Sequence, residues 1–381
     1  MPGGGTGSAR ISQLDGLRGI AILLVLAVHF LNDSEHGAFG SFLYRFGSAF
    51  RLGWAGVDLF FVLSGFLIGG ILLDARESTN YFRVFYTRRL FRIVPIYYSW
   101  ITLFVIVQLS VGGWLSHLLP AQSSDLRFVP LFYLFLQNYF QVPFGSLIWV
   151  WLTPTWSLGV EEQFYIVAPP LIRFLSIKTL KFVLLATIFI APVLRLLVFF
   201  FVPGGHDAIY TWMPCRADSL AFGVVAAVAW RDGSIRRWYD SHRRFFFISM
   251  AILGAAIPVF IKWKFDPHTL VMGSFGYTWL AVFFAGLLLL CLLEPDGLWA
   301  GFLRMSFLRE MGKLSYCMYI IHLAVLNLTH RVLLHSRPRI YDFRGAAVSF
   351  LALFLTYAIA KVSWICLEHP LIRRGHAFTY R

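Results

Sequence analysis

Ten separate runs of apolar residues, each long enough to cross a bilayer, punctuate this chain, and no soluble domain can bury so many of them. They lie near 17–31, 53–73, 93–112, 156–175, 182–202, 213–230, 245–261, 271–293, 314–334 and 345–367. A further run, 128–152, is broken by Gln137, Asn138, Gln141, Pro143 and Gly145, and reads as a span or as a re-entrant segment. With 58% of the 381 residues hydrophobic and 14% charged, lipid must be the solvent. The sequence predicts an all-α, polytopic transmembrane helical bundle.

Charge decides between topologies. If the broken run does not cross and the N-terminus is cytoplasmic, the inner segments hold twenty of the 33 Lys and Arg residues and the outer ones nine. If it crosses, the split becomes twelve inside and seventeen outside, against the positive-inside rule. The expected topology is therefore ten spans plus a re-entrant or broken segment, both termini cytoplasmic, in the plasma (inner) membrane. Residues 1–13 read as a flexible tail, 14–370 as one membrane domain and 371–381 as a short basic tail. The net charge of +14 comes from short clusters between apolar runs, as in cytoplasmic loops, and does not point to nucleic acid. The four cysteines have no paired spacing for a metal site or a disulfide framework, and no metal is expected. No internal repeat or soluble domain is evident, so the chemistry must be done within the bundle.

Ionisable residues inside such runs are costly in lipid and tend to face an internal cavity. Arg18 and His29 are eleven residues apart, a helical rotation of about 1100°, so both lie on one face. The rise between them, roughly 16 Å, sets Arg18 near the cytoplasmic surface and His29 in the outer half of the membrane. The structural alternative is a snorkelling arginine and a helix-bonded histidine. Adjacent Glu161 and Glu162 enter the fourth run with no basic residue nearby. Counted from Thr153 as an N-cap before Pro154, Glu161 lies roughly 10 Å below the outer surface, close to the depth of His29. A histidine and a carboxylate at one depth suit a base and its orienting partner; structural glutamates bonding neighbouring helices are the alternative.

Asp58 opens the second run, Trp156 the fourth, and Arg216 with Asp218 the sixth, while His322 falls near the middle of the ninth. These five are candidates for substrate binding in the same cavity, although a helix-bonded structural histidine is equally open for His322. The cytoplasmic stretch before the third run carries Arg88, Arg89 and Arg92, followed by Tyr97. Guanidinium groups match phosphate geometry, so this cluster suits a phosphate-bearing ligand; anionic lipid and topology are the other reading.

Taken in order, these segments resemble the acyltransferase 3 family of integral membrane O-acyltransferases over nearly the whole chain. The resemblance rests on Leu14 to Gly19 with Arg18 and His29 spaced by ten residues, on Gly56 to Phe66, and on Arg88 to Pro95. It continues through Trp156 to Leu158 with Glu161 to Tyr165, Arg216 to Gly223, Leu314 to Tyr316 with His322, and Glu368 to Pro370. It implies transfer of an acyl group, usually acetyl, from cytoplasmic acyl-CoA to a hydroxyl of a carbohydrate. In that scheme His29 is the catalytic base with Glu161 or Glu162 as its partner or as an acceptor-binding group. Arg18 steadies the thioester end or orders the pore, and Arg88, Arg89, Arg92 and Tyr97 hold coenzyme A. A cell-surface or lipid-linked carbohydrate is the first expectation for the acceptor and a macrolide-like small molecule the second. A transporter or flippase is the rival from another class, and it would show an inverted repeat, which this sequence does not. Members of the family sometimes carry a further hydrolase-like domain, and this chain is expected to act without one.

Overall fold

The computed structural model describes residues 11–32, 35–36, 42–110, 126–144, 150–263, 265–340 and 342–381. Each of the ten apolar runs forms a helix: α1 (Ser12–Ala27), α2 (Gly56–Asp74), α3 (Tyr81–Ser110), α4 (Trp156–Phe174) and α5 (Ile177–Phe201), then α6 (Met213–Arg231), α7 (Ser234–Lys262), α8 (Tyr277–Leu293), α9 (Ser306–Leu334) and α10 (Phe343–Ser363). Eight of these segments are long and apolar enough to cross a membrane. The exceptions are α4 and α6, whose apolar character is lowered by the carboxylates and the Arg216–Asp218 stretch that they carry. Helices α3 and α9 start well before the apolar runs they contain, because the arginine-bearing turns ahead of each run are good helix formers.

The broken run does not make a span-length helix among the described residues. It gives short helices Val129–Tyr133 and Gln137–Phe144, of five and eight residues, while 145–149, including Gly145, lie outside the described residues. Gln137 and Asn138 turn inward. Gln137 Nε2 donates to Thr155 O at 2.6 Å and Asn138 Nδ2 to Thr211 O at 3.2 Å, so this segment is tied to the N-terminal ends of α4 and α6. Among the described residues the β structure is one parallel pair of two-residue strands, Glu35–His36 with Arg339–Ile340.

Close approach at glycine sets which helices are neighbours. A side chain at Gly16 or Gly19 would collide with the backbone at Leu303 or Leu308, and one at Gly312 with the carbonyl of Asp15, so α1 lies directly against α9. Gly65 and Gly223 do the same for α2 and α6. These two tight pairs form the centre of the bundle, with α10 beside α9 and α5 beside α6. The outer faces are apolar: Phe182, Phe189 and Phe201 of α5, and Phe245, Ile248 and Ile252 of α7, are exposed, as expected where lipid is the solvent.

Candidate active site

Five helices converge on one cavity. Arg18 comes from α1, Ser64 from α2, Arg89 and Arg92 from α3, Glu161 and Tyr165 from α4, and Tyr319 from α9. Arg18 and Arg92 make no hydrogen bond or ion pair to another described residue, and the Nε of Arg89 is buried without a partner. Unpaired guanidinium groups are among the most costly side chains to hold inside a membrane, and guanidinium chemistry suits an anion. Glu161 is the carboxylate on its wall. Ser64 Oγ donates to Glu161 Oε1 at 2.9 Å and the Tyr165 hydroxyl to Oε2 at 3.2 Å, while Arg18 and Arg92 lie within electrostatic reach. Glu162, next along α4, has Arg89 as its neighbouring cation.

Beyond the cavity, α1 loosens into a π-helical turn, Val28–Asn32, which carries His29. Such turns add one residue to a helix and re-aim side chains at functional positions. His29 Nδ1 lies 2.8 Å from Val25 O and 3.2 Å from Nε2 of His322, with the two rings 4.9 Å apart between centroids. Tyr319 separates this histidine pair from the arginine cavity. Its hydroxyl is 2.8 Å from Ser157 Oγ, its ring lines the cavity, and its carbonyl accepts from His322 Nδ1 at 2.7 Å.

The structure therefore divides the candidate residues differently from the depth argument. Glu161 faces Arg18 and Arg92 and bonds Ser64 and Tyr165, and His322 is the residue set against His29. The reason is lateral: the glycine contacts bring α9 against α1, whereas α4 lies across the cavity from it. Arg88 also departs from expectation. Its Nε and Nη2 donate to Phe378 O at 2.9 and 2.6 Å and its guanidinium lies 5.1 Å from the Tyr380 ring, so it fastens the C-terminal segment and does not line the cavity. Tyr97, one turn beyond the cavity residue Ile93, is buried and does not line the cavity, donating to Phe132 O at 2.9 Å and stacking on Phe135.

Asp58, Arg216 and Asp218 belong to a second buried network. Arg216 pairs with Asp58, and Arg195 Nη1 lies 3.0 Å from both carboxylate oxygens of Asp218, whose Oδ2 also accepts from Thr278 at 2.7 Å. Two arginines balance two aspartates, all four fully buried, and the Arg216 guanidinium stacks 3.7 Å over the Tyr277 ring. This network stitches α2, α5, α6 and α8 together one layer behind the cavity. Trp156 packs between the two, 6.1 Å from the cavity residue Phe61 and 4.5 Å from Tyr210. Arg195 was absent from the sequence candidates, although a lone arginine amid the apolar run 182–202 is a signal for it. Ser64, Tyr165 and Tyr319 lay inside recognised segments but carried no charge to single them out. Among the described residues no group of three or more His, Cys, Asp or Glu side chains is placed to hold a metal ion.

Comparison with known proteins adds a family. A family model described as "Acyltransferase domain" matches residues 11–364. The O-acetyltransferase OatA of Staphylococcus aureus, from strains NCTC 8325 / PS 47, COL and MRSA252, is 25% identical over 374 residues, covering 95% of this chain. The matched region is 57% of the length of each of these relatives, so the chain spans little more than half of them. No solved structure matches.

Proposed function

The chain belongs to the acyltransferase family whose model it matches, and from that premise we propose that it is a membrane O-acetyltransferase using acetyl-CoA as donor. Its acceptor in this reading is a hydroxyl of a cell-surface or lipid-linked carbohydrate. The observation that carries the reading is the set of guanidinium groups of Arg18 and Arg92, unpaired among the described residues, with Arg89 beside them, in a cavity next to a histidine pair. The donor's phosphates and polarised thioester are the anionic and electron-rich groups that such a cavity suits. Acetyl as the transferred group is supported by the names of the relatives.

In this proposal the donor enters from the cytoplasmic side, where α3 carries its arginines, and its thioester lies toward Tyr319. Arg89 and Arg92 hold phosphate oxygens, and Arg18 lies nearest the acyl end. His29 takes the proton from the acceptor hydroxyl at its Nε2 as the oxygen attacks the thioester carbonyl; the C–S bond breaks and coenzyme A leaves as the thiolate. The ten-span topology with both termini cytoplasmic sets the arginines on the inner side and His29 toward the outer side, so a donor and an acceptor from opposite sides of the membrane meet at one centre. The proposal is tested by incubating purified protein in lipid vesicles with radiolabelled acetyl-CoA and candidate glycans, then locating the acetyl group by mass spectrometry. Labelled acceptor hydroxyls support it; donor hydrolysis or no turnover with every glycan tried contradicts the carbohydrate assignment.

A further inference from the structure

His322 is fully buried and touches the histidine assigned as base, yet the scheme above gives it no task. Its Nδ1 lies 2.7 Å from the Tyr319 carbonyl oxygen. A carbonyl oxygen only accepts, so this nitrogen carries the ring proton, and in the neutral imidazole the lone pair is at Nε2. That Nε2 is 3.2 Å from His29 Nδ1, which is also 2.8 Å from Val25 O. With two acceptors in front of it, His29 Nδ1 is the protonated nitrogen of its own ring. The lone pair of His29 is thereby fixed at Nε2, the nitrogen a general base uses. Two main-chain carbonyls, Tyr319 O and Val25 O, set the tautomers of the two rings in series.

We propose that His322 is a positioning residue of the transfer reaction: together with the Val25 carbonyl it holds His29 in the tautomer and ring orientation that leave Nε2 basic. The inference rests on the reading of His29 as the base. A histidine suits this place better than a carboxylate, because a neutral acceptor adds no charge to the membrane interior while His29 is neutral. When His29 takes up a proton, its Nδ1–H becomes a charge-assisted donor and the bond to His322 strengthens, as charge is developing in the transition state. A contact of His322 with the acceptor itself is disfavoured by its complete burial and by the commitment of both ring nitrogens.

The test compares His322→Gln with His322→Asn in purified protein in lipid. A glutamine amide reaches the position of the histidine Nε2 and so keeps an acceptor for His29. An asparagine amide reaches only the Nδ1 position, keeping the bond to Tyr319 O and losing His29. Both variants stay polar and smaller than histidine, and acetyl-CoA binding to the arginine cavity reports that each is folded. The expected result is a glutamine variant within about tenfold of wild-type kcat and an asparagine variant lower by about 10²-fold or more, with KM for acetyl-CoA unchanged in both. Equal kcat in the two folded variants, or a loss confined to KM for the acceptor, overturns the proposal. His29→Ala is measured alongside: if it is inactive while the His322 variants are alike, only the role of His322 fails, and if it remains active the underlying reading of His29 fails.

Discussion

Arg88 grips the carbonyl oxygen of Phe378 with two nitrogens, at 2.9 and 2.6 Å, while Arg92, one helical turn further along the same helix, points into the cavity with no protein partner among the described residues. Three arginines that look alike in the sequence therefore divide into one that fastens the chain's C-terminal segment and two that line the cavity.

Changing Arg92 to Gln is expected to weaken acetyl-CoA binding by about 1–3 kcal/mol, the worth of a charge-assisted phosphate contact. Lysine at this position restores part of the loss, since it keeps the charge without the planar fork. Arg88→Gln is expected to leave donor affinity within about twofold of wild type and to loosen the C-terminal segment. Titration of coenzyme A onto the folded variants, with limited proteolysis near residues 376–381, separates the two effects. Equal weakening by both substitutions would return Arg88 to the binding site.

Glu161 should act in the opposite direction to the arginines. Its carboxylate offsets part of the charge of Arg18 and Arg92, so Glu161→Gln leaves the cavity more positive and is expected to tighten binding of the anionic donor by about 1 kcal/mol. The same change removes the charged acceptor of Ser64 and Tyr165 and should lower thermal stability. Weaker donor binding in a folded Glu161→Gln protein would mean that Glu161 contacts the donor through a bond the carboxylate alone can make.

The buried pair of Arg195 and Asp218 is expected to be structural. Asp218→Asn strands the Arg195 charge, and breaking such a pair costs about 3–5 kcal/mol. Replacing both partners, as Arg195→Met with Asp218→Leu, should recover much of that loss. Unfolding followed by tryptophan fluorescence in detergent measures each step. A marked change of donor affinity in the folded double variant would place this network in the binding site after all.

Topology gives an independent check. A cysteine at Asp240 should react with membrane-impermeant maleimide only after the cells are opened, and one at His206 should react in intact cells, both in an otherwise cysteine-free protein. Reversed labelling would mean that the segment at 128–152 crosses the membrane.

Much of this architecture is legible in one dimension because lipid imposes a simple rule: an apolar run of span length becomes a helix. The positions of α1 to α10 follow from it, and so does the inward placement of Arg18 and Glu161, which no lipid-facing position would tolerate. What sequence does not carry is which helix stands beside which. Depth alone put Glu161 level with His29, but the lateral neighbour of α1 is set by Gly16, Gly19 and Gly312, and that brings α9 and His322 to the histidine. The same gap hid Arg195, whose partner Asp218 is on another helix, and assigned Arg88 to a ligand when its acceptor is a main-chain carbonyl nearly three hundred residues away in the chain.

Acetyl transfer by His29→Ala in lipid vesicles, with radiolabelled acetyl-CoA and an acceptor glycan that the wild-type protein labels, bears most directly on the central claim. If His29 is the base at the meeting point of donor and acceptor, kcat should fall by about 10²- to 10⁴-fold while affinity for acetyl-CoA, held by the arginines, changes little. A variant that binds the donor normally and keeps more than about a tenth of wild-type turnover would remove His29 from the reaction and with it the mechanism described above.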